Sequence, residues 1–516
     1  MIYYNNNIMA VDKMRNIKGG VVLTYVTLVF SIISSLLITP IILKYVGDKN
    51  YGLYTLSISI TSWLTVITNA LSASFIRYAV LDEQEYGNSK RISTIYLKLL
   101  SLFSVLFLAI GIATISVLFF SGITLPQYSE GDNKLLYLLL LISTIQTSLS
   151  IIFSLFTLFL SFKQRFIIIK SIALSIAILT LLLKLISAIV FKSIVLILLV
   201  DLVSTLVSGG LSLFFAIKFS KMSFAIKESL KKNKKMVFSI LAFSSFILLN
   251  VLSEQLNNSI DKIVLGFFVN AESVTKYQLS FIFPQYLSTI PVSIATLFIP
   301  KVNEYVARGD KEKVDALFLS VSKFQAVFVI LIVGGYISCG KDFILLWLGQ
   351  NNLDVFYYGL VLIIVHSIPL CVNIAIEIQR AYGKHKFRAI SMLIISLLNA
   401  LTSTVCVLIF PKEQAIWICI ICTAVTKIIG VWILFNVYNA VAIKLPIRRF
   451  IMSFSTIIVF ALLSYVNSIA AARIVSYFTQ RTLWFFLAKG GAFVISFIGI
   501  ELLFDNRFWK GIIKKQ

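Results

Sequence analysis

Asn250, Glu254, Asn257 and Asp261 recur at intervals of four, three and four residues inside an otherwise apolar stretch. That spacing stacks them on one helix face, and Gln255, Asn258 and Lys262 widen it. His366, Asn373, Glu377 and Arg380 follow the same logic over four turns of another apolar run. Asp201, Ser204, Thr205, Ser208 and Ser212 make a third stripe, and Thr24, Thr27, Ser31 and Ser34 a fourth. Carboxylates and an imidazole in such places titrate or hold sodium, which makes Asp201, Glu254, Asp261, His366 and Glu377 candidates for coupling to H+ or Na+. Arg77, Lys184, Lys262, Arg380 and Lys427 supply positive charge, and Asn250, Asn257, Asn258 and Asn373 neutral hydrogen-bonding groups.

The elements that carry these residues are transmembrane helices. The 516-residue chain is 59% hydrophobic and 13% charged, and it alternates about fourteen apolar runs of roughly twenty residues, the length that crosses a bilayer, with short polar loops. Each span must satisfy its own backbone hydrogen bonds, so helices are the expected elements. A charge in hydrocarbon costs at least about 2.5 kcal/mol unless it faces a cavity or a partner. The stripes therefore point to a hydrated central cavity lined by helices of both halves. Several charges also have a structural reading. Lys184 and Asp201 flank one short turn at equal depth and suit an ion pair, whereas Arg77 and Arg380 lie where snorkelling is cheap. Asp261 and Lys262 suit a helix-end pair, Glu254 a hydrogen bond within the bundle, and His366 a packed polar residue. Lys427, near the middle of its run, has no such neighbour in the sequence.

The loops fix a topology. Lys and Arg concentrate in every second loop and in both tails, a roughly threefold excess that places both termini in the cytoplasm. The net charge of +24 is thus topological, and with no soluble domain to present a groove, nucleic-acid binding is excluded. The run from Lys227 to Lys235 should attract anionic lipid at the inner surface. The expected organisation is a cytoplasmic tail (1–19), a first six-helix lobe (20–218), a basic cytoplasmic linker (219–236), a second lobe (237–440), two further helices (441–504) and a tail (505–516). The first run is too long for a cleaved signal-peptide core and reads as a signal anchor.

A single ungapped shift of the chain against itself lays Val46, Tyr54, Leu56, Ser57, Leu64, Ile67, Phe75 and Ile76 on Val269, Tyr277, Leu279, Ser280, Leu287, Ile290, Phe298 and Ile299. An even number of helices separates the copies, so the lobes are expected to be parallel and pseudo-symmetric. Pro284, Pro291 and Pro369 remove helix hydrogen bonds and mark bending points. Gly334-Gly335 suits close packing. Two histidines and an intrahelical Cys419-x-x-Cys422 make no metal site, and neither a nucleotide loop nor an external loop able to house catalysis is present. The chain therefore reads as a transporter and not an enzyme.

The stretches Tyr51-Gly-Leu-Tyr54 through Phe75-Ile-Arg77-Tyr78, and Asp261-Lys-Ile-Val-Leu-Gly266 followed by Tyr277, resemble motifs of the polysaccharide-exporter, or O-antigen flippase, branch of the multidrug/oligosaccharidyl-lipid/polysaccharide flippase superfamily. Ile299-Pro300 with Gly309-Asp310, Leu346-Trp-Leu-Gly349 and Ala381-Tyr-Gly383 extend the resemblance. It departs at Thr68-Asn-Ala-Leu-Ser72, where the family often has an acidic, glycine-containing segment. The resemblance implies an all-α fold with two MATE-like lobes of six helices plus two C-terminal helices, in a bacterial inner membrane. It implies a flippase for undecaprenyl-diphosphate-linked oligosaccharide, working by alternating access as a monomer, with no resident cofactor. Membrane lipids and polysaccharide polymerase machinery are the implied partners. The cations would then serve the phosphates and the asparagines the sugar hydroxyls, with the polyprenyl tail along the last two helices. The alternatives are an ion-coupled small-molecule antiporter of the same fold and, further off, a membrane-embedded glycan polymerase.

Overall fold

The computed structural model describes residues 2–122, 124–225 and 228–504, with the side chains of 2–18 and 246 left aside. Lys227 of the basic linker and the tail 505–516 lie outside the described residues. Among those residues every regular element is a helix. Twelve helices are long and apolar enough to cross a membrane, and two bent pairs raise the number to fourteen: Lys234–Ser245 with Ile247–Phe268, and Ala271–Leu297 with Ile299–Ala307, each bent by 44°. Large apolar side chains such as Val105, Leu182, Leu401, Leu462 and Ile495 are exposed around the helices. A soluble protein does not tolerate so continuous an apolar surface, and a lipid-solvated one requires it.

The chain divides into two compact units, Met1–Thr275 and Lys276–Gln516. The first holds α1 (Ile2–Val46), α2 (Asp48–Thr61), α3 (Thr65–Tyr86), α4 (Lys90–Phe120), α5 (Glu130–Phe162), α6 (Phe166–Ile189), α7 (Ile194–Lys218) and α8 (Lys234–Phe268). Here α5 is central, packing on α2, α3, α4 and α7, while α1 lies along α6. Leu71, Phe75, Tyr96, Leu155 and Phe159 form part of its core. Because α8 packs on α2 and α3, the break between the units falls after Thr275, well beyond the basic linker where the charge pattern suggested it.

The second unit takes the rest of α9 (Ala271–Leu297), then α10 (Ile299–Ala307), α11 (Lys311–Leu348), α12 (Asp354–Cys371), α13 (Ile374–Ala381), α14 (Lys386–Ile409), α15 (Ala415–Lys427), a π-helical segment (Ile428–Leu434), α16 (Phe435–Val441), α17 (Ile447–Ser476) and α18 (Thr482–Phe504). Its hub is α11, which packs on α10, α12, α13, α17 and α18. The last two helices are thus integral to this unit. Lys489 of α18 pairs with Asp342 of α11 at 2.7 Å, and the buried Glu501 attracts Lys323. The Lys489–Asp342 pair thus ties α18 to α11.

Helix breaks are satisfied locally. Gln325, fully buried on α11, donates through Nε2 to the carbonyl of Pro291 at 2.8 Å and accepts from the Ile374 amide at 3.3 Å. One side chain thus serves backbone groups on both α9 and α13. The helix containing Pro369 ends two residues later, and Val372 and Asn373 separate it from α13, as expected of a proline that removes a ladder bond. The internal repeat is visible in the element boundaries: α2 starts at Asp48 and α9 at Ala271, the same separation that lays Tyr54 on Tyr277 in the sequence.

Small residues are required in these helices only where geometry demands them. A Cβ on Gly52 would lie 1.9 Å from the Ala271 carbonyl oxygen, and one on Gly334 would lie 2.2 Å from the Phe493 ring, whereas Gly335 faces open space. The pair Gly334-Gly335 therefore serves packing, through Gly334 alone. Backbone cannot yield as a flexible side chain can, so Gly52→Ala should lower the thermal midpoint in detergent sharply, equivalent to at least about 2 kcal/mol, within the range for overpacking. Gly335→Ala should be near neutral, and equal midpoints for the two variants would refute the packing account.

Candidate functional site

Each unit contains a polar pocket among its own helices. In the first, Gln146 and Ser150 of α5, Thr180 of α6 and Asp201, Ser204 and Ser208 of α7 line a shallow cavity of about 360 Å³. Asp201 accepts from the Tyr54 hydroxyl at 2.9 Å and pairs with Lys184 at 2.7 Å. Thr180 and Ser204 share a hydrogen bond of 2.7 Å. The charges at equal depth in the sequence are thus partners, and Tyr54 of the Tyr-Gly-Leu-Tyr motif is the third member. Thr24, Thr27 and Ser31 bond back to the carbonyls of Gly20, Leu23 and Thr27 on their own helix. Such back-bonding satisfies a hydroxyl in lipid without any cavity.

The second pocket, of about 200 Å³, is lined by His366, Asn373, Gln379, Arg388, Lys427, Asn436 and Asn439 among apolar groups. Lys427 Nζ lies 2.7 Å from His366 Nε2, and His366 Nδ1 lies 2.7 Å from the Leu362 carbonyl. A carbonyl only accepts, so Nδ1 carries a hydrogen. The N···N contact then needs one proton between its two nitrogens. Lys427 closes α15 immediately before the π-helical segment, an irregularity frequent at functional sites. Trp432 within it donates to the Val365 carbonyl at 2.9 Å, which fixes the segment against α12. Arg388 lies over the Phe435 ring at 5.9 Å, and Gln379 donates to Asn439 at 2.6 Å. No carboxylate is among the described lining residues.

The remaining candidates are dispersed. On α8, Asp261 is 3% exposed and attracts its neighbour Lys262, whereas Glu254 and Asn258 are exposed and Asn250 and Asn257 half-buried. The expected single stripe is therefore split. Asn257 donates to the Ser253 carbonyl at 2.8 Å. Exposed Arg77 lies over the Phe243 ring at 4.5 Å. Arg380 and Glu377 pair within α13 at 2.7 Å, and Asn373 sits at the break before that helix. Sequence reasoning missed Gln379, Arg388, Asn436 and Asn439. The three-residue spacing of the two asparagines after Lys427 was a usable signal. Nothing in the sequence joined His366 to Lys427, which lie on separate helices far apart in the chain.

Residues 17–306 match the model of a family described as "Polysaccharide biosynthesis protein". The chain belongs to that family. It is 26% identical to the "Uncharacterized membrane protein EpsK" of Bacillus subtilis (strain 168) over 379 residues, 72% of each chain. Among solved structures it is similar to one titled "Lipid II flippase MurJ, inward closed conformation", with a TM-score of 0.70, 17% identity, and coverage of 95% of this chain and 100% of that one. An inward-facing multidrug resistance MATE family transporter of the MOP superfamily matches with a TM-score of 0.62 and 12% identity, over 80% and 95% of the two chains. At these identities the likeness establishes the fold, an all-helical multi-pass membrane architecture of the MurJ and MATE kind.

The Lys184–Asp201 pair makes a direct test of its structural weight. Removing one partner strands a charge in a low-dielectric setting, which costs about 3–5 kcal/mol when burial is complete. Both side chains here retain 17% exposure, so Lys184→Met should destabilise toward the lower end of that range. The double variant Lys184→Met with Asp201→Leu should recover most of the loss in detergent melting. A double variant as unstable as the single one would show that Tyr54 and the hydroxyls, not the charge pair, set the stability.

Proposed function

We propose that this protein is a flippase carrying undecaprenyl-diphosphate-linked oligosaccharide units, of O-antigen or another surface polysaccharide, from the inner to the outer leaflet of a bacterial cytoplasmic membrane. Family membership ties the chain to polysaccharide biosynthesis. The fold is that of a protein titled a lipid II flippase, and this chemistry poses the same problem of moving a charged, hydroxylated head through hydrocarbon. The observation that carries the reading is the pocket around His366 and Lys427. Two cations and a histidine suit a diphosphate, and four amides suit sugar hydroxyls. Alternating access through a polar cavity is the transport mode, with a monomer as the working unit. Both termini are cytoplasmic in this reading, the polyprenyl tail stays in lipid, and polymerase machinery outside consumes the product.

The same pocket bears on the alternative, a small-molecule antiporter, which the MATE-like fold favours. A cationic drug needs a carboxylate or an aromatic cage, and this lining provides two cations and no acid. The test is flipping of a fluorescent undecaprenyl-diphosphate oligosaccharide in proteoliposomes. The intact protein should transport it, and Lys427→Ala should reduce the rate by at least about tenfold, the loss of one charge-assisted hydrogen bond to phosphate. Efflux of organic cations, with no flipping of several lipid-linked sugars, would favour the antiporter.

Coupling to H+ follows from the same geometry in this proposal. A second proton on the His366–Lys427 pair would put two cations 2.7 Å apart, a state that an arriving diphosphate relieves. Arg388 adds positive charge from α14, while Asp354, already paired with Lys276, lies at the far end of the helix that carries His366. Anion binding and proton uptake are then linked. Flipping by the intact protein should respond to an imposed pH gradient, and His366→Gln should flip at a rate independent of it. A gradient response that survives in His366→Gln would move the coupling to Na+ or to another residue.

A further inference from the structure

At one end of the first unit, three connections meet around a cavity of about 500 Å³: the turn before α4, the turn before α6 and the segment after α7. Its charged lining consists of Lys90, Lys163, Arg165 and Lys221 with one acid, Glu83. Glu83 pairs with Lys163 at 2.5 Å, which leaves an excess of three positive charges in the lining. The nearby Asp82 does not offset them, because its two oxygens accept from Arg91 Nε at 2.9 Å and from the Ile92 amide at 3.1 Å. Cations gathered in a recess repel one another unless an anion enters.

A second observation points to what enters. Ser220, only 9% exposed, lines this cavity, and its hydroxyl has no hydrogen-bond partner among the described residues. Leaving a buried hydroxyl unpaired costs about 1–3 kcal/mol, so the position calls for an acceptor from outside the chain. The helix α6 also starts at the cavity, with Arg165 as an N-cap residue that makes no side-chain capping bond, and helix amides favour anions. Phe159 and Phe219 form part of the wall. Phe219 continues into the exposed apolar surface of Phe214 and Ile217 on α7. A soluble phosphate has no use for that apolar margin, whereas a lipid places acyl chains along it.

We propose that this cavity is a seat for the phosphodiester headgroup of an anionic phospholipid, with Lys90, Arg165 and Lys221 around the phosphate and Ser220 donating to it. The basic loops that enclose the cavity belong to the face that the charge pattern makes cytoplasmic, so the lipid comes from the inner leaflet. Its occupancy ties together the connections of α3 to α4, α5 to α6 and the start of the linker. The site is separate from the His366–Lys427 pocket, and its fate does not depend on the transport reading.

Binding is measured on the purified full-length protein in neutral detergent, by thermal shift and native mass spectrometry, against phosphatidylglycerol, phosphatidylcholine and inorganic pyrophosphate. Phosphatidylglycerol should bind and raise the midpoint, and phosphatidylcholine should not. Lys221→Gln should weaken phosphatidylglycerol binding about fivefold, the equivalent of one surface charge. Ser220→Ala, which alters no charge, should also weaken it about fivefold, the loss of one hydrogen bond. The control Lys386→Gln with Lys444→Gln, which removes two exposed charges outside both the cavity and the basic linker, should retain full binding. Both phospholipids binding alike, or the Lys386→Gln with Lys444→Gln control losing as much as Lys221→Gln, would overturn the site in favour of general surface attraction. Full binding in Ser220→Ala would equally overturn it, and pyrophosphate giving the same shift would replace the lipid by a soluble phosphate.

Discussion

A polar group placed in hydrocarbon has no water to fall back on, and most local features of this protein follow from that constraint. Hydroxyls on α1 bond to carbonyls one turn back. Gln325 serves a carbonyl on α9 and an amide on α13, where two helices lose regular partners. Charges inside spans are met by opposite charges, Lys184 by Asp201 and Lys489 by Asp342. Each solution is inert in the sense that it leaves little to offer a ligand. The pair of His366 and Lys427 is of another kind, since two bases there meet through one N···N hydrogen bond.

The fold was legible in the sequence because the membrane makes its signal long and redundant. An apolar run of sufficient length marks a span whatever it packs against, and the offset that aligned Tyr54 with Tyr277 also separates the starts of α2 and α9. Packing order was less legible. The basic linker suggested a unit boundary near 219–236, yet α8 packs with the helices before it. Loop charge reports which side of a membrane a segment occupies, and carries no information about which helix lies next to it. The last helix illustrates the same limit, because its ion pair with α11 joins Asp342 to Lys489, residues remote in the chain.

The candidate site was legible only in its parts. His366, Asn373 and Lys427 stood out individually because charge and amide are rare in apolar runs, and all three line one pocket. The stripe on α8 was legible as a spacing and not as an environment. A spacing of four, three and four puts residues on one face of an ideal helix, but the face is broad, and neighbouring helices cover Asp261 while leaving Glu254 exposed. Conversely, Arg388 was missed because it lies in the first turn of α14, where a cation reads as a loop-end anchor. The structure turns it into the same pocket as Lys427.

The second-unit pocket lies between two helices that are both interrupted. Pro369 ends α12 within a turn of His366, and the π-helical segment begins directly after Lys427. Regular helices transmit displacement as rigid rods, but a missing ladder bond on one side and an extra residue per turn on the other lower the cost of local rearrangement. The two bases thus lie beside the irregular parts of their helices. Their N···N hydrogen bond holds the parts together through one proton, and the Trp432 bond to the Val365 carbonyl braces the same junction. The first link depends on the charge of its two bases, while the indole bond is indifferent to it.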